Sequence, residues 1–148
     1  MSAPTLSLLH YRSMAPSATC SRCGEDDETL IHCIRDYRFS RNIWNKIGFS
    51  DGDFFSAQNA HVWINSATSG PRGSLFLAGL WWVWRYRNLM CLNNEFWSLF
   101  RITNNIHNSA EAIRTTFQKD VRIAHPKRLL NGIVTITWVP FSTLMAAA

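Results

Sequence analysis

Cys20 and Cys23 form a C-x-x-C pair, and His32 follows nine residues after the second cysteine. Thiolate sulfur and neutral imidazole nitrogen are the donors that zinc takes in closed structural sites. Two thiols three positions apart can face one point when the backbone turns tightly, and Gly24 permits that turn. A closed site needs four donors. Cys33 adjoins His32, so on a helix its side chain points roughly 100° away, leaving three good ligands and one open position. A redox use of the two thiols would want a βαβ setting, which the pattern lacks, and would leave His32 without a role.

The elements that must position these ligands follow from the spacing of apolar residues. Glu25, Asp26, Asp27 and Glu28 suit a helix N-terminus, where Asp26 or Asp27 caps and the charges complement the dipole. Leu30, Ile31 and Ile34 predict one short helix from Glu28 to about Asp36. Phe39, Ile43, Trp44 and Ile47 predict a second, closed by Gly48. Position 37 then falls in the turn between them. It holds Tyr37, whose phenol, with a pKa near ~10, rarely gives up its proton for zinc. Water, Asp36 or Glu28 would have to supply the fourth donor.

Further along, residues 49–74 read as a loop around a short amphipathic piece, with His61 facing solvent. A long helix is predicted from Leu75 to about Asn93 and another from Phe96 to about Lys119, packed antiparallel to bury both apolar stripes. Trp81, Trp82, Trp84 and Tyr86, interleaved with Arg85 and Arg87, contain the ingredients of a base-stacking platform. Burial of the aromatic face is the stronger expectation, which leaves Arg85 and Arg87 as the candidate phosphate contacts. Beyond His125-Pro126, Val134, Ile136 and Trp138 alternate with Thr135 and Thr137 as in a short strand.

The 148 residues are 47% hydrophobic and 17% charged, with seven Trp and nine Phe, enough for a packed core. The net charge is +5. It divides as 6 basic against 5 acidic side chains over 1–48, none against 2 over 49–70, and 9 against 3 over 71–148. The basic excess therefore lies away from the cysteines, and a positive field of this kind favours polyanions. The longest apolar run, Leu75 to Trp84, is ten residues, about half a membrane span, and the N-terminus lacks the pattern of a secretory signal. An intracellular, reducing compartment is expected, nucleus and cytoplasm being left open, with no membrane and no small-molecule substrate.

The stretch from Thr19 to Trp44 resembles the zinc-binding domain that follows the polymerase domain in plant non-LTR retrotransposon reverse transcriptases. Cys20, Cys23, Gly24, Glu28, Thr29, His32, Phe39 and Trp44 stand at the family's positions. Tyr37 stands where the family has its last cysteine, and Arg38 where a proline usually follows. A second signature, Leu80 to Asn88, is similar to the family's W-x-x-W-x-x-R-N element. Thr137, Trp138, Val139 and Pro140 look like the entry to a ribonuclease H domain. The resemblance implies zinc on Cys20, Cys23 and His32, with position 37 in doubt as the fourth ligand, and an association with RNA or DNA.

The fold expected is mainly α. A lead-in (1–18) precedes a zinc-knuckle helical module (19–48), a loop (49–74), a helical hairpin (75–124) and a tail (125–148) with one strand-like segment. The late start and the early end suit a remnant of a longer ancestor. Polymerase and ribonuclease H chemistry need clustered carboxylates around metal ions, and neither a Y-x-D-D nor a T-D-G motif is present. No phosphate loop, dinucleotide motif or nucleophile elbow occurs. The expected function is a non-catalytic, zinc-binding and nucleic-acid-binding module derived from a retroelement. The alternatives are an inactive helical remnant without zinc and a protein-interaction module.

Overall fold

The computed structural model describes residues 4–123, with side chains up to 116. Within them the chain is mainly helical. In order come α1 (Leu6–Tyr11), a single π-helical turn (His32–Asp36), α2 (Arg38–Lys46), α3 (Gly52–Ser56), α4 (Ala60–Thr68), α5 (Gly73–Asn93) and α6 (Leu99–Ile123). The strand-like tail expected beyond His125 lies outside the described residues.

Trp44 is the centre of the core. Its indole packs within 5.3–5.7 Å, centroid to centroid, of Phe49, Phe54, Trp63 and Phe76. Aromatic pairs at these separations add roughly 0.5–1.5 kcal/mol each beyond the area they bury. α5 comes very close to this ring. A methyl at Gly79 would meet Trp44 Cζ3 at 2.7 Å and Cη2 at 2.9 Å, so only glycine allows the approach. Trp44 Nε1 donates to the Ile34 carbonyl (2.6 Å), and Ser40 Oγ donates to the Cys33 carbonyl (2.6 Å). These side chains of α2 take up carbonyls at the end of the π-turn, where no helical N–H follows to meet them.

α5 and α6 form the predicted hairpin. Asn94, in the left-handed conformation at φ 54°, ends α5, and Ser98 accepts the Arg101 N–H at the start of α6. The short connection makes the two helices antiparallel. Phe76, Val83 and Tyr86 of α5 and Ile102, Ile106 and Ile113 of α6 are buried in the common core. Trp82 Nε1 donates to Ser109 Oγ across the pair at 2.9 Å.

Three expectations change. Residues 49–74 are not a plain loop, because α3 and α4 lie there and Trp63 is buried against Trp44. The lead-in carries α1 and is tied down: Glu28 Oε2 accepts the Leu6 N–H (2.9 Å), and Arg87 Nη2 donates to the Pro4 carbonyl (2.9 Å). The acidic run does not start a helix. Thr19 pairs with Asp27 in an antiparallel bridge, the Cys20 N–H donates to the Asp26 carbonyl (2.8 Å), and the Glu28 N–H donates to the Ala18 carbonyl (2.8 Å). Backbone pairing with the segment before the cysteines outcompetes the helix dipole for these residues.

Candidate metal centre

The bridge between residues 18–20 and 26–28 closes a tight loop that carries both thiols. Gly24 turns it at φ 72°, and the Gly24 N–H donates to the Cys20 carbonyl (2.8 Å). His32 is delivered from the other side by the π-turn, whose start is held by Thr29 Oγ1 accepting the His32 N–H (3.1 Å). The ligand atoms of Cys20, Cys23 and His32 all lie within 4.8 Å of one another. Cys23 Sγ and His32 Nε2 are 3.6 Å apart. Zinc bonds of ~2.0–2.3 Å in a tetrahedron set ligand atoms about 3.5–3.8 Å apart. The Cys23–His32 edge therefore already has the right length, and the widest edge closes by no more than about 1 Å around an ion.

The chemistry of the donors fits. Cys20 is fully buried, His32 nearly so and Cys23 partly exposed. Backbone hydrogen bonds from Asp26 and then Glu25 hold the Cys23 thiol below its usual pKa, with a smaller contribution from Cys20. Lowering that pKa favours the thiolate, the form that binds metal. His32 turns Nε2 to the thiols and Nδ1 towards Asp26, whose Oδ2 is 3.8 Å away. A carboxylate on that side favours the tautomer whose Nε2 lone pair is free for a metal.

The donors considered for the fourth position are mostly committed elsewhere. Glu28 is buried with Arg87, whose Nη2 and Nε lie 3.0 and 3.3 Å from Oε1, while Oε2 takes the Leu6 N–H. Asp36 is held by Arg35 through both oxygens, at 2.7 and 3.0 Å. Tyr37 caps α2 beside the site. Its ring centroid is 6.1 Å from that of His32, and the Arg22 guanidinium covers it at 4.0 Å. The phenol ring is thus packed as a wall, and of the donors considered water is left. Cys33 points away from the cluster as expected and is buried in the core, and burial pushes its thiol up to about 12, the Glu28 charge adding to the effect.

Arg87, proposed from the sequence as a phosphate contact, is corrected. It is buried and bound to Glu28 and the Pro4 carbonyl, because the knuckle folds back onto α5 and buries a carboxylate that needs a partner. Arg85, two residues away, is exposed. Sequence reasoning missed Asp26 as a neighbour of His32, having read it as a helix cap, and missed the Glu28–Arg87 pair because 59 residues separate its members. No protein-family model matches the chain, and searches of curated proteins and of solved structures find no match.

Proposed function

We propose that this chain is a non-catalytic zinc-binding module of the kind that follows the polymerase domain in plant non-LTR retrotransposon reverse transcriptases. The observation that carries the reading is the convergence of Cys20, Cys23 and His32, atoms within 4.8 Å, from a turn and a helix start separated in the chain. The role of the ion is structural: it ties the thiol loop to the π-turn, and through them to α2. With a phenol at position 37, the site has three protein ligands and water as the fourth. Its affinity is accordingly lower than that of a four-ligand knuckle.

Metal analysis of protein purified without chelators, together with competition against a chromogenic chelator, tests this. One zinc per chain is expected, lost in Cys20→Ser and His32→Ala. Tyr37→Cys is expected to tighten binding at least tenfold. Equal affinity in the wild type and Tyr37→Cys would remove position 37 from the ligand set, and a metal-free wild type would remove the site.

One observation favours the second reading, an inactive helical remnant. The Trp44 core draws on α2, α3, α4 and α5 and uses none of the three ligands. A chain that folds fully and stays metal-free under the same analysis fits that reading instead.

A further inference from the structure

The hairpin brings the indoles of Trp82 and Trp97 together, each with an arginine beside it. Arg101 lies over the Trp97 ring at 3.9 Å, Arg85 lies 5.8 Å from the Trp82 ring, and the two indoles are 5.9 Å apart. Both arginines are exposed. Among the described residues of α5 and α6, Arg87 is paired with Glu28 and Arg114 with Glu111, whereas Arg85 and Arg101 have no carboxylate within 4.0 Å. Around the hairpin turn in the chain, Phe96 and Phe100 each stand 74% exposed, and Leu92 is 55% exposed. Large apolar side chains this bare, gathered at one elbow, mark an interaction surface.

We propose that the α5–α6 elbow binds single-stranded nucleic acid, Arg85 and Arg101 taking phosphates and Phe96 and Phe100 stacking on bases. Exposed rings with guanidinium groups beside them are the two components of sequence-tolerant single-strand binding. Arg101 is oriented by the Trp97 indole beneath it, so less of its side-chain freedom is lost when a phosphate arrives. Glu95 is the acidic side chain at the elbow. Asn93 Nδ2 (3.1 Å) and Trp97 Nε1 (3.2 Å) both donate to it, and these bonds, with smaller contributions from the Arg101 and Arg85 charges, hold its carboxyl below the usual carboxylate range. Two cations against one carboxylate leave the elbow positive. Single strands are selected over duplex because a stacking phenyl ring needs an unpaired base face. None of Cys20, Cys23 and His32 belongs to this surface, so the proposal does not depend on the zinc reading.

Fluorescence anisotropy with a labelled 15-nucleotide oligo-dT, on the full chain with zinc content recorded in parallel, tests the proposal. Binding is expected to weaken as salt rises, with a duplex of equal length bound at least tenfold more weakly. Arg85→Gln/Arg101→Gln should cost about tenfold or more and lower the salt slope by about 1.4, at ~0.7 per phosphate contact. Phe96→Ala/Phe100→Ala should cost about tenfold with the slope unchanged. Arg12→Gln/Arg38→Gln, which removes the same charge elsewhere, should leave the affinity within twofold apart from a small general charge effect. All these positions are exposed, and unchanged circular dichroism is the folding control. Equal losses from both arginine pairs, or no oligo-dT binding at 50 mM salt, overturns the proposal. So does binding to phosphatidylserine vesicles, or a dimer abolished by Phe96→Ala/Phe100→Ala, in the absence of oligonucleotide binding.

Discussion

At the scale of single residues, two adjacent positions show how the π-turn sorts side chains. His32 faces the thiols and Cys33 faces the core, where burial first and the Glu28 charge second raise its pKa to about 12. A thiol held neutral above the unfolded value favours the fold at neutral pH, and that advantage is lost as pH climbs from about 9 towards 12. Unfolding measured across that range should therefore show an alkaline loss of stability that is smaller in Cys33→Ala. Native protein treated with iodoacetamide at pH 8 should be alkylated at exposed Cys91 and spared at Cys33, as peptide mass spectrometry would show. The cluster of Cys20, Cys23 and His32 was legible in the sequence because donor chemistry and C-x-x-C spacing are local. The orientation of Asp26 towards His32 was not, since it depends on a backbone bridge between residues 19 and 27.

At the scale of elements, the two long helices and α2 were legible from their periodicity, each with a stripe of apolar residues that only a helix gathers on one side. α3 and α4 were not. Gly52, Gly70 and Gly73 set the segment off as a loop around a short amphipathic piece, and packing of Phe54 and Trp63 against Trp44 makes helices of it. The contact between α5 and α2 offers a sharp test. Gly79→Ala places a methyl 2.7 Å from the Trp44 ring, which cannot retreat from its four aromatic neighbours. Overpacking of this sort costs about 1–3 kcal/mol, and urea unfolding should show the loss even though alanine is the better helix former.

At the scale of the whole molecule, one buried ion pair joins the pieces. Glu28 from the knuckle and Arg87 from α5 meet at 3.0 Å with both side chains under 5% exposed, and each also binds the lead-in. Arg87→Met leaves the buried Glu28 carboxylate only the more distant Arg22 (3.6 Å) as a charged partner and should destabilise by up to about 3–5 kcal/mol. Adding Glu28→Gln to it should recover part of that loss, so that the double variant is more stable than additivity predicts. The proposed metal would act at the same scale. Raising free zinc to 100 times its Kd should stabilise the fold by about 2.7 kcal/mol, and amide exchange should slow first over residues 19–37. No helix among the described residues is long and apolar enough to cross a membrane.

Donor types, their spacing and the helical periods are properties of neighbouring residues, so the sequence alone determined a mainly α chain with Cys20, Cys23 and His32 as the ligands to test. Which arginine is buried and which is exposed is a property of residues far apart. Only the tertiary structure placed Arg87 against Glu28 and brought Trp97, with Arg101 over it, to Trp82. Folding decides such pairs because a buried charge must find a partner wherever the chain can bring one, and the positions of α1, the knuckle and the hairpin turn are what bring it.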